Sequence, residues 1–351
     1  MEINEFAKPY SPKAKFSNNQ LGSHIYSFNR IKKWDKSIFI CGVSDLNGKI
    51  SSIDNIREVL YSLSIIDQSK DIIDFGNIIS LSEKDQEAAL KGLLKEAKKN
   101  QSPLVLLSES SEVLPQFIAN ESTKDKELVV VSPIIYDGQL ISKAKKNLKS
   151  LTFLGVQSYF NLNHLNKDKK NSEIVALGEL RDDLMDVEPY FRMSNNAIFD
   201  LSAIRKSDYS LSYRNSPNGL YAEEICQLAW FAGNSDTIDS FCITNLSKDS
   251  VQTQDKMMSA QLIWYILTGI AKRYSDNPGK NTRNFKEYYI ENNKTPEDLV
   301  FYKSMKSEKF WVKYGQEKIF IPCSKKDMSV VLEGNIPDRL LKKIAVNQKK
   351  Q

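Results

Sequence analysis

The fold class this sequence predicts is α/β, a three-layer α/β/α arrangement on a mostly parallel central sheet, and three observations predict it. Short apolar runs without polar alternation recur through the first two thirds of the chain, as in Ile38-Phe39-Ile40-Cys41 and Leu128-Val129-Val130-Val131. Between many of them lie stretches whose apolar residues are spaced by three or four. Strands that are apolar on both faces, alternating with such helices, are what a parallel sheet covered on both sides requires. A chain of 351 residues, 41% hydrophobic and 26% charged, is long enough to bury that core and gives no sign of global disorder.

The elements follow in order. Residues 1–36, rich in Asn, Ser, Lys and Pro, predict an irregular N-terminal arm, and the α/β domain is expected over 37–294. Ser37 to Val43 predicts the first strand, and Ile56, Val59, Leu60 and Leu63 a helix after it. Asp71 to Phe75 is a strand candidate. Ser82 is placed to cap a helix that carries Ala89, Leu90, Leu93, Leu94 and Ala97 on one face and ends in Lys98 and Lys99. Pro103 to Leu107, Leu128 to Val131, Leu151 to Val156 and Glu173 to Ala176 continue the strand series. Ala197 to Leu201 and Ile238 to Thr244 predict two more strands, Tyr221 to Ala232 and Thr253 to Tyr274 two helices. Periodicity weakens after Ser275. Residues 295–340, with Phe301, Phe310, Trp311, Tyr314 and Phe320, predict short strands in an appendage on the same body, and 341–351 a basic, frayed tail.

Composition excludes several classes. The net charge of +5 is interspersed, with no basic face carrying aromatic platforms, so no nucleic-acid partner is expected. The start Met1-Glu2-Ile3-Asn4-Glu5 has no apolar signal region, and the most apolar stretch, Met257 to Ala271, falls short of a membrane span, so a cytoplasmic location is expected. Cys41, Cys226, Cys242 and Cys323 are far apart in apolar contexts and predict reduced core thiols. Asp182, Asp183, Asp186 and Glu188 predict the exposed face of a helix.

Three stretches carry a resemblance: Phe199-Asp200-Leu201-Ser202-Ala203-Ile204, Pro217-Asn218-Gly219-Leu220-Tyr221-Ala222-Glu223-Glu224, and Ala260-Gln261-Leu262-Ile263-Trp264. Together they resemble the arginase, agmatinase and formimidoylglutamase (ureohydrolase) superfamily. The ending Ile321-Pro322-Cys323-Ser324 and Ile336-Pro337-Asp338-Arg339 is similar to a formimidoylglutamase-like branch. The resemblance implies an eight-stranded, mostly parallel sheet, self-association into trimers or hexamers, and two manganese ions held by histidines and aspartates in three segments. In such a site a bridging water loses a proton and attacks the carbon of a guanidinium or formimidoyl group.

Carried onto this chain, the ligand positions are degenerate. Ser110, or Ser111 with a one-residue shift, stands where the first histidine belongs. Ser132, Ile134 and Tyr136 take the places of two aspartates and a histidine, with Asp137 one residue out of step. Asp200 keeps one aspartate of the third segment and Ser202 replaces the other. A substrate-side glutamate falls near Thr244 or Asn245. The only histidines, His24 in the arm and His164 in a connecting segment, read as structural or surface residues.

The expectation is therefore a catalytically inactive ureohydrolase-like protein without manganese or other cofactor. It would bind a protein partner, or a small ligand in the former active-site pocket. Two alternatives remain open: a working hydrolase of a C–N bond in a guanidino or formimidoyl compound, and a structural subunit docking through Phe310, Trp311 and Tyr314.

Overall fold

A computed structural model describes residues 6–31, 33–43, 52–66, 70–79, 82–121, 126–136, 148–160, 172–247, 253–291, 299–314 and 319–348. Its centre is a ten-stranded sheet. Its body is a run of eight adjacent parallel strands: β3 (Ile38–Val43), β4 (Ile72–Ile78), β5 (Leu104–Ser108), β6 (Lys126–Val131), β7 (Leu148–Val156), β8 (Ser172–Ala176), β9 (Asn196–Asp200) and β10 (Ser240–Thr244). They lie side by side in the order β4-β3-β5-β10-β9-β6-β7-β8. The chain thus starts near one edge, builds outward and returns to the middle, placing β9 and β10 between β5 and β6.

Alternate residues of each strand feed separate cores, as the two-residue period of a strand demands. Ile38, Ile40, Val105, Leu107, Val129, Val131, Ala197 and Phe199 pack into one. Phe39, Cys41, Leu104, Leu106, Leu128, Val130, Ile198 and Cys242 pack into the other. Helices α2 (Glu83–Lys99) and α3 (Leu114–Glu121) cover the second face. The first is covered by α1 (Ser52–Ser62), α4 (Leu177–Asp182), α5 (Glu188–Met193), α6 (Ala222–Gly233) and α7 (Thr253–Ala271). Ser82 caps α2 by accepting from the Asp85 amide at 3.2 Å. Where α6 crosses α7 the backbones touch: a Cβ on Gly233 would stand 2.3 Å from the Ile266 carbonyl oxygen, and one on Gly269 2.7 Å from the Trp230 oxygen.

Three regions differ from the sequence reading. The arm is stitched to the sheet, because β1 (Ala7–Lys8) and β2 (Ile25–Ser27) both pair with β4, satisfying an edge the apolar pattern of β4 leaves open. The C-terminal appendage is an antiparallel four-stranded sheet of β11 (Phe285–Ile290), β12 (Leu299–Ser304), β13 (Phe310–Tyr314) and β14 (Phe320–Cys323), so it begins before residue 295. Strand β11 is a largely exposed edge, and its mixed pattern Phe-Lys-Glu-Tyr-Tyr-Ile carries little periodic signal. The end of the chain is helical: α8 (Lys325–Leu332) and α9 (Asp338–Gln348) bury Val331, Leu340 and Ile344 against this small sheet. Leu340 and Ile344 are four residues apart, which gives α9 one apolar stripe to dock.

The acidic run of 182–188 is also put to use. Asp186 and Asp327 both accept from Arg339, at 2.5 Å each, and both oxygens of Glu188 accept from the Arg192 Nε–H at 2.9 Å. The Asp186–Arg339 bond ties the run to the C-terminal unit, and Glu188, four residues before Arg192 on α5, steadies the arginine that reaches the Phe310 and Cys323 carbonyls.

Candidate functional site

In a doubly covered parallel sheet the loops at the carboxyl ends of the strands converge where the strand order reverses, and sites form there. Here four neighbouring strands, β5, β10, β9 and β6, end together. The positions singled out in the sequence fall at or just beyond these ends.

Asp200 ends β9 and is 2% exposed. Its carboxylate is met from three sides. The Tyr136 hydroxyl donates to Oδ2 at 2.5 Å, the Asn245 side-chain amide donates to Oδ1 at 2.7 Å, and the Ser202 backbone N–H donates to Oδ1 at 2.8 Å. Tyr136 reaches in from beyond β6 and Asn245 from beyond β10, so one buried carboxylate joins three adjacent strand ends. Burial first, and then the Asp200 charge and hydrogen bond, holds the Tyr136 phenol well above its ordinary pKa, keeping it a donor. Ser132 and Thr244, both fully buried, also face that phenol.

Asn245 is itself fixed. It sits in the left-handed region at φ 58°, which asparagine tolerates better than most residues. The buried Tyr209 donates to its carbonyl at 2.9 Å and accepts from the Ser247 amide at 2.7 Å. Sequence reasoning passed over Tyr209, which stands in a polar loop without a motif.

The other positions do local work. Ser110 accepts from the Glu112 amide at 3.1 Å and caps a short turn over Ser111–Val113. Ser132 accepts from the Ile134 amide at 3.3 Å, and the half-buried Ile134 side chain has no atom that could ligate a metal. Glu109, just past β5, accepts from Ser52 at the start of α1. Parallel pairing of Ile25 with Ile72 sets His24 at the amino end of β4, the pole opposite Asp200, where its Nε2 lies 3.2 Å from the Asn18 oxygen. His164 and Asp137 lie outside the described residues.

A dinuclear manganese site needs several carboxylates and imidazoles around one volume. Among the described residues the strand ends offer hydroxyls, an isoleucine, an amide, the Glu109 carboxylate engaged with Ser52, and the Asp200 carboxylate already accepting three hydrogen bonds. Among the described residues no group of three or more His, Cys, Asp or Glu side chains could hold a metal ion. These donors do not fit two manganese ions.

The aromatic docking surface expected at Phe310, Trp311 and Tyr314 is largely turned inward. Trp311 is 5% exposed, lies under the Arg192 guanidinium at 4.5 Å and meets Phe285 edge-on at 5.5 Å. Phe310 and Tyr314 are half-buried against the core of the small sheet. Alternation along β13 directs its side chains to two faces, and both faces are packed.

No protein-family model and no curated protein matches the sequence. Solved structures do match. The manganese-bound formiminoglutamase of Trypanosoma cruzi superposes with a TM-score of 0.62 at 14% identity, over 73% of this chain and 100% of its own. The formimidoylglutamase of Bacillus subtilis gives 0.62 at 12% identity, over 76% and 97%. The agmatine ureohydrolase of Thermoplasma volcanium gives 0.56 at 14% identity, over 72% and 94%.

The chain has the ureohydrolase fold. At such identities the likeness concerns architecture, and the chemistry of a ureohydrolase-fold protein has to be argued from its own residues. Each neighbour is matched almost end to end, while about a quarter of this chain lies outside the match. No described helix is long and apolar enough to cross a membrane.

Proposed function

We propose that this protein is a noncatalytic member of the ureohydrolase-fold group, a pseudoenzyme that acts by binding a protein partner or a small ligand. What carries this reading is the state of Asp200. Its oxygens accept from Tyr136, Asn245 and the Ser202 amide, so the aspartate left from the metal-binding pattern is spent on internal cross-links. A metal ion there would have to displace a phenol and an amide from a buried carboxylate and then find further ligands among serines and an isoleucine. The crossed hydrogen bonds keep the strand ends together, so the fold persists without the ions. Self-association and a cytoplasmic location belong to the same proposal.

The test is metal analysis with activity on the purified, manganese-equilibrated protein. The expected result is well under one manganese ion per chain and no urea from agmatine or formamide from formimidoylglutamate. About two ions per chain with release of either product would overturn it and favour the hydrolase reading, in which the chain shares the activity of its manganese-bound structural neighbour.

A further inference from the structure

At the opposite pole of the main sheet, a cavity of about 320 Å³ opens between the amino ends of the parallel strands and the C-terminal sheet. Glu127 and Lys149, each the second residue of its strand, line one side, and Asp236 and Thr237 before β10 continue it. Trp311, Phe320, Ile321 and Pro322 form an apolar wall from the small sheet. This volume lies at the small end of the range for ligand pockets.

The charged groups around it are unusually well buried. Lys149, Lys309, Lys343 and Arg192 are each no more than 22% exposed at the side chain. Four carboxylates face these four cations: Glu127, Asp236 and Asp276 in the lining, and half-buried Glu188 behind Arg192 and Lys309, so the donors and not a net charge set the character of the site. Asp236 is exposed at the mouth and faces Lys70 and Arg273 as well. Two lysines share the single carboxylate of Glu127. Lys309 spends two N–H donors on the Asn234 carbonyl and side-chain oxygens, at 2.9 and 2.7 Å, while Glu188 stays 3.7 Å away. Burial pushes the Lys309 ammonium below its ordinary pKa, opposed by Glu188, Asp236 and Asp276 and helped by Arg192.

We infer that this cavity binds a small organic anion, a carboxylate carried on an apolar or aromatic body. The carboxylate would take the spare donors of Lys309 and Lys149, and the body would lie along Trp311 and Phe320. With two of the three Lys309 N–H groups already spent on Asn234, the donors that remain suit a monoanion better than a dianion. The site makes no use of Asp200, so it stands or falls separately from the function proposed above.

Isothermal titration of the full chain with benzoate, benzamide and phenyl phosphate tests it. Benzoate should bind saturably at one site per chain, with benzamide at least about tenfold weaker and Lys309→Gln losing about tenfold or more in affinity. Lys149→Gln, at the more exposed edge, should also weaken binding and serves if Lys309→Gln does not fold. Absence of saturable benzoate binding, equal binding of benzamide, undiminished binding by Lys149→Gln, or a preference for phenyl phosphate would each overturn the assignment.

Discussion

The hydroxyl of Tyr136 and the carboxylate of Asp200 meet at 2.5 Å and tie the carboxyl end of β6 to that of the neighbouring β9. A buried carboxylate stays ionised only while donors surround it. Tyr136 is one of three such donors. The pair therefore bears on stability whatever the chemistry of the site.

Tyr136→Phe should lower stability by about 1–3 kcal/mol at neutral pH, read from urea unfolding. The pH dependence has a definite sign. The phenol is held protonated in the folded chain, so above about pH 10 the unfolded chain loses this proton first and stability falls with rising pH. The phenylalanine variant should show a shallower alkaline decline, by up to about 1.4 kcal/mol per pH unit. An unchanged alkaline slope would place the phenol in water.

A second prediction concerns Arg57, fully buried on α1. It pairs with Asp74 through Nε and NH2 at 2.8 and 3.1 Å, and reaches Asn77 at 2.7 Å and the Gly76 carbonyl at 2.6 Å. Tyr61 donates to the same aspartate. Arg57→Met should cost about 3–5 kcal/mol, because it strands a charged Asp74 in the core, and Asp74→Asn added to it should recover part of that loss. Equal denaturation midpoints for the single and double variants would contradict this.

How far the sequence reveals these features depends on whether each leaves a periodic or local trace. The parallel strands were legible because a doubly buried strand is apolar at every position, as in Leu104 to Leu107. The place of Asp200 at a strand end was legible from the apolar run Ala197 to Phe199 before it. Arg57 and Tyr209 were not, since a single polar residue in a helix or loop shows nothing of its partners until distant strands bring them together. Strand β11 was missed because an exposed edge tolerates mixed residues. Most of helix α9 was taken for a tail because the two apolar residues that dock it stand among the basic Arg339, Lys342 and Lys343.

Trp311→Ala should lower stability by about 3–5 kcal/mol, measured by thermal or urea unfolding. The indole fills the space between Arg192 and Phe285, and Arg192 also donates to the Phe310 and Cys323 carbonyls at 2.9 Å. Removing the ring loosens the clamp between α5 and the small sheet. The substitution is thus a poor control in a partner pull-down, where lost recovery would report lost folding. A variant with unchanged stability would restore Trp311 as a surface residue.

The four cysteines supply a further measurement. All are free and buried. Burial pushes the Cys41 and Cys226 thiols up to about 12 and raises those of Cys242 and Cys323 too. The thiolate is the reactive form, so at neutral pH the folded protein should react slowly with Ellman's reagent at every cysteine. In denaturant four thiols should titrate at once. Cys226, on α6 and 6% exposed, should lead any slow native phase, and Cys226→Ser should remove that phase. Rapid native modification at Cys41 or Cys242 would mean that the central sheet opens far more often than its packing allows, since both side chains lie within the layer beneath α2 and α3.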